Sequence, residues 1–124
     1  MLTLTVSEIH ELYKKLMFAT GNSPGIRDVN LLESAVFGCY QTFDGIELYP
    51  TIIEKAARMA YAVCKNHPFI DGNKRAAVTT MLVMLRLNSI LLSYTQQELI
   101  CLGINIANGS IGYNDIVDWI NNHL

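Results

Sequence analysis

The nine residues His67-Pro68-Phe69-Ile70-Asp71-Gly72-Asn73-Lys74-Arg75 gather groups that the rest of the chain scatters thinly. A histidine supplies a base that titrates near neutral pH. Asp71 can hold a divalent cation, and Gly72 lets backbone come close to a ligand. A helix that starts near Asn73 would aim free N–H groups and the positive end of its dipole at an anion. These groups in this spacing suit phosphoryl or nucleotidyl transfer.

Each group also has a plainer role. An imidazole at a helix end can cap carbonyls, and His10 and His123 read as surface residues of that kind. For His67 the adjoining Pro68 fixes the chain direction, and the loop returns to an anion-ready helix start, which favours chemistry. Phe69 reads as an aromatic plug that anchors the loop in the core. Asp71 reads either as the N-cap of the next helix or as a Mg²⁺ ligand, and the two are compatible. Lys74 and Arg75 are solvated charges or phosphate ligands. Cations in a first turn oppose the helix dipole, which a bound phosphate chain would explain. Arg27 and Asp28 read as a surface charge beside a cap.

Helical signals flank this segment on both sides. Thr5-Val6-Ser7-Glu8 is a capping box, followed by Ile9, Leu12, Tyr13, Leu16 and Met17 on one helical face. Gly21–Gly25 ends that element, and Asp28 caps a second helix carrying Leu31/Leu32, Ala35/Val36 and Cys39/Tyr40. Phe43–Tyr49 alternates around Asp44-Gly45, which predicts a short hairpin or flap, too short to build a sheet. Pro50 and the capping box at Thr51 open a helix to Asn66, which Pro68 stops. The helix Asn73–Leu87 follows, apolar around nearly its whole circumference from Ala76, as a helix surrounded by others should be. Thr95–Glu98 caps a fifth helix closed by Asn108-Gly109. A sixth, Tyr113–Asn122, is expected to bury Ile116, Val117, Trp119 and Ile120. The expectation is an all-α, single-domain bundle over residues 1–124.

Composition narrows the functional classes. With 51% hydrophobic and 16% charged residues, the 124-residue chain reads as a compact globule with a sizeable core. A net charge of −2 argues against broad electrostatic nucleic-acid binding. Cys39, Cys64 and Cys101 form no CxxC and read as reduced, buried thiols of a cytoplasmic protein. No signal peptide is evident. Ala76–Leu92 falls short of the roughly 18–20 uninterrupted apolar positions a membrane span needs, so no membrane association is expected.

HPFIDGNKR resembles the signature of the Fic/Doc superfamily, HxFx(D/N)(G/A)N(G/K)R, at every fixed position. GIRDVNLLESAV and FDGIELYPTIIEKAA are similar to the segments that precede the motif in Doc-type toxins. AMP-transferring Fic proteins typically continue GNGRxxR, whereas here Lys74 replaces the glycine and Val78 stands in place of the second arginine. Both departures resemble the Doc branch. That branch implies a kinase that moves the γ-phosphoryl of ATP onto a threonine of elongation factor Tu and arrests translation. A lysine beside the phosphates can neutralise a γ-phosphate, and losing the second arginine removes a clamp useful for AMP transfer.

The resemblance implies a bundle of six helices around a central motif-bearing helix. It implies His67 as general base, Asp71 as the Mg²⁺ ligand, and Gly72, Asn73, Lys74 and Arg75 as the phosphate cradle. It implies Phe69 as loop anchor and Ile46, Glu47 and Leu48 as a flap that docks the target by strand addition. The inhibitory (S/T)xxxE(G/N) string of self-inhibited Fic proteins is missing, since Ser7 and Glu11 have the spacing but Leu12 follows. Inhibition by a cognate antitoxin in trans is therefore implied. An AMP transferase and a catalytically silent nucleotide- or partner-binding module are the alternatives.

Overall fold

A computed structural model describes residues Met1–Leu124 and has six helices and one hairpin. The helices are α1 (Val6–Ala19), α2 (Val29–Gly38), α3 (Ile52–Asn66), α4 (Asn73–Leu87), α5 (Gln96–Ala107) and α6 (Tyr113–Asn122). The hairpin pairs β1 (Thr42–Phe43) with β2 (Ile46–Glu47), with Thr42 opposite Glu47 and Phe43 opposite Ile46. Asp44 and Gly45 both have positive φ, the geometry that tight hairpin turns select with this residue pair.

The helix starts follow local chemistry. Thr5, Thr51 and Thr95 each accept from the third residue of their helix, and Glu8, Glu54 and Glu98 reach back to the cap. Asp28 accepts from the Asn30 N–H at the start of α2. α4 alone starts with two exposed cations and no capping side chain, behind a left-handed Gly72.

The α3/α4 pair forms the centre of the bundle: α3 packs on α2, α4, α5 and α6, and α4 on α1, α3 and α5. Ala56, Ala57, Ala60 and Ala62 on α3 and Ala76 and Ala77 on α4 are buried, and small side chains of this kind let two helices approach closely. No residue of α4 from Ala76 to Leu85 is exposed, as expected of a surrounded helix. The core continues through Ile9, Tyr13 and Met17 of α1, Leu32 and Val36 of α2, and Ile116 and Ile120 of α6. No helix is long and apolar enough to cross a membrane.

Several sequence expectations change. Cys39 and Cys64 are buried, and burial pushes both thiols up to about 11, but Cys101 is exposed on α5. Val117 and Trp119 are half-buried only. His123 is no idle surface residue: it stacks on Trp119 at 3.9 Å, and its Nε2 lies 2.8 Å from Glu98 Oε2. Lys55, a residue that no motif marked, is 2% exposed and donates to Glu47 Oε1 at 2.9 Å and to the Tyr49 carbonyl.

Candidate active site

The motif joins the two central helices. α3 cannot continue through Pro68, and His67 ends it in the left-handed region at φ 54, ψ 54. The loop then drops Phe69 into the core, where it is fully buried and stacks on Tyr13 at 3.7 Å with the rings 7° from parallel. Tyr13 Oη donates to the Asp71 carbonyl at 2.8 Å. A second strand of chain lies alongside: Ile26 bridges to Phe69, the Ile70 N–H donates to Gly25 O at 2.9 Å, and the Arg27 N–H donates to Pro68 O at 2.8 Å.

Gly72 is required twice over. Its φ is +78, and an added Cβ would lie 2.7 Å from the buried Met17 sulfur. Behind it, α4 presents its first-turn N–H groups with no side chain closing them. Lys74 and Arg75 are exposed there, and neither takes part in an ion pair. Asp71 Oδ1 accepts from the Gly72 N–H at 2.8 Å, one residue ahead of the N-cap position, which belongs to Gly72. Its second oxygen has no partner. No group of three or more His, Cys, Asp or Glu residues stands together anywhere in the chain. A divalent cation here would take one oxygen of Asp71 and otherwise phosphate and water, which is how Mg²⁺ is commonly held.

The Asn73 side chain is engaged within the loop. It is buried, with Oδ1 accepting from the Phe69 N–H at 3.0 Å and Nδ2 donating to Phe69 O at 2.9 Å. One bond to the backbone N–H and one to the backbone C=O of the same residue fix which way the amide points. Nδ2 is therefore the atom that faces His67 Nδ1 at 3.1 Å, so Nδ1 accepts and the neutral ring carries its proton on Nε2. Both polar atoms of the side chain are committed, leaving only the Asn73 backbone N–H for an anion.

His67, Asp71, Gly72, Asn73, Lys74 and Arg75 line one cleft of about 860 Å³. Leu99, Ile100 and Ile104 of α5, with Leu16 and Met17 at the end of α1, give the same cleft an apolar wall. Gly103 lets α5 come close, since a Cβ there would lie 3.4 Å from the Lys74 carbonyl. A polar floor with an apolar wall suits a ligand that joins phosphates to a flat apolar ring. The α5 wall was missed from the sequence because only the tertiary packing brings it to the motif. Glu11 pairs with Lys14 on an exposed face of α1 and does not line the cleft.

The hairpin is not brought to this cleft. Lys55 ties Glu47 to the first turns of α3, whereas His67 ends the same helix, about 18 Å away at the α-helical rise. Ile46, Glu47 and Leu48 are exposed, and none lines the cleft. Arg27 was read as a surface charge, but it donates from Nε to His67 O at 2.7 Å and from Nη2 to Asn66 O at 2.9 Å.

The family model described as Fic/DOC family matches residues 3–85, which contain the motif but stop short of α5. The chain is 35% identical over 75 residues to "Toxin Doc" of Mycolicibacterium smegmatis (strain ATCC 700084 / mc(2)155), covering 60% of this chain and 58% of that protein. It is 28% identical over 117 residues to "Protein kinase doc" of Escherichia phage P1, covering 94% of this chain and 91% of that one.

Proposed function

From the premise that this chain belongs to the Fic/DOC family, we propose that it is a Doc-like toxin acting as a protein Ser/Thr kinase. It transfers the γ-phosphoryl of ATP to a hydroxyl of a translation factor similar to elongation factor Tu, and a cognate antitoxin neutralises it in trans. The observation that carries this reading is the uncapped start of α4, with unpaired Lys74 and Arg75 beside His67 at the mouth of a cleft with an apolar wall. The likeness to the phage protein named a kinase supports it over the whole motif.

In this reading the nucleoside lies against Leu99, Ile100 and Ile104, and the phosphates cross the first turn of α4. The N–H groups after Gly72, with Lys74 and Arg75, take up charge on the transferring group. Asp71 holds Mg²⁺, which neutralises phosphate charge when bound. The target hydroxyl oxygen forms the new bond to the γ-phosphorus as the bond to the β,γ-bridging oxygen breaks. Its proton goes to His67, and ADP leaves. Proton uptake at Nε2 requires the His67 tautomer with its proton on Nδ1, in which the contact with Asn73 is given up. The exchange therefore precedes transfer, and the proton then moves to Nε2 as the new bond to phosphorus forms.

Strand addition to the hairpin remains part of the proposal with a length condition. About five or six extended residues at ~3.3 Å each must separate the docked segment from the modified hydroxyl. Incubating the protein with an elongation factor Tu-like target and ATP labelled at either the α or the γ phosphorus tests the reading. Label is expected from the γ position, and transfer from the α position alone would show an AMP transferase instead.

A further inference from the structure

Arg27 donates to three successive carbonyls at the entry to the motif loop, sharing the third with the Asp28 N–H. Its guanidinium holds Asn66 O and His67 O, and its backbone N–H holds Pro68 O. The first two lie at the C-terminal end of α3, where carbonyls have no intrahelical donors left and a cation meets the negative end of the dipole. The side chain is exposed and forms no ion pair, so its charge has no other partner.

The conformation it braces is an unfavourable one. His67 sits at φ 54, ψ 54 immediately before a proline, a junction that normally drives the preceding residue to extended geometry. A residue stays in such a region only when its surroundings over-determine it. Here the restraints on the His67 backbone are its N–H to Val63 O at 3.3 Å and its carbonyl to Arg27. The twist of that backbone sets where the imidazole points. A planar guanidinium can hold two neighbouring carbonyls at once with fixed geometry, which an ammonium on a flexible stem cannot.

We infer that Arg27 is a positioning residue for His67, directing the imidazole by gripping the carbonyls of Asn66 and His67. The inference rests on His67 being the base of the proposed transfer.

The test compares Arg27→Ala and Arg27→Lys with the wild-type chain by imidazole ¹⁵N NMR and by γ-phosphoryl transfer kinetics. The chain has three histidines, and His67→Ala assigns the signals of interest. In Arg27→Ala the His67 ring signals are expected to split or broaden while those of His10 and His123 stay put. kcat should fall on the order of 10²-fold, as an ångström-scale misplacement produces, with the KM for ATP unchanged. Arg27→Lys should restore part of both, and it carries the test alone if the alanine variant melts below the working temperature. Unchanged His67 signals overturn the inference, whether or not kcat falls, because lost activity without ring movement is not positioning. If the wild-type chain transfers no phosphoryl group, the functional reading fails while the ring signals still decide the role of Arg27.

Discussion

Asn73→Ala separates two roles for one residue. In the folded chain the Asn73 amide satisfies both the N–H and the C=O of Phe69, at a position where Phe69 is fully buried. Truncation leaves two buried backbone groups unpaired, each costing about 1–3 kcal/mol. The third contact, to His67, lies at the exposed edge and adds little. Water entering from the cleft relieves part of the cost, so the loss of stability should be about 2–4 kcal/mol. That is a large share of the roughly 5–15 kcal/mol that stabilises a typical domain. It corresponds to a fall in Tm on the order of 10 °C for a chain of this size. Urea unfolding followed by far-UV circular dichroism reads it as a lower midpoint with an unchanged slope. Transfer activity should fall as well, because the loop that carries His67 loses its tie. A variant that loses activity yet unfolds within about 0.5 kcal/mol of wild type would refute this reasoning. The amide would then be acting on the phosphates directly.

Three further outcomes follow from contacts elsewhere. Hydrogen bonding from His123 lowers Glu98 to about 2, and Glu98 in turn raises His123. The Glu98 contribution is present above its ordinary value of 4.5 and fades as pH falls, and the His123 contribution is present below 6.5 and fades as pH rises. The stability advantage of wild type over Glu98→Gln should therefore peak between those values, and an advantage flat from pH 4 to about pH 9 would contradict the pairing. Glu47→Gln leaves the buried Lys55 ammonium facing a neutral amide. It should cost about 1–3 kcal/mol, discounted because Glu47 is half exposed, and should speed proteolysis at Asp44-Gly45. In the native protein a thiol reagent should modify one cysteine quickly, Cys101, with Cys39 and Cys64 reacting only on unfolding; two fast equivalents would contradict the packing.

The helices were legible in the sequence because their signals are local. Threonine and glutamate three residues apart placed the starts of α1, α3 and α5, and Pro68 placed the end of α3. The Asp-Gly pair gave the hairpin turn for the same reason. What stayed hidden depends on partners far along the chain. Arg27 looks like a solvated charge until Asn66 and His67 come beside it, some forty residues later. Lys55 looks exposed until the hairpin folds over it, and Cys101 looks buried because cysteines usually are. The motif told which residues gather at the site but not how they divide the work. Asn73 is as polar as its neighbours, and only the structure shows its side chain bonded to the N–H and C=O of Phe69.

The segment Gly25–Asp28 laid along Pro68–Ile70 has a consequence for how the site can be blocked. The amides of Arg27, Asp28 and Ile70 donate to carbonyls forty or more positions away, and Phe69 is clamped on Tyr13 of α1. Such a loop cannot fray by itself, because freeing it means pulling the first third of the chain off the centre of the fold. Its amide hydrogens should exchange with solvent as slowly as those of α3 and α4, although the segment is not helical. The site then has no low-energy disordered form for an inhibitor to select. A ligand that blocks this site would have to fill the cleft or cover its mouth, and its affinity would set the dose at which the site is occupied.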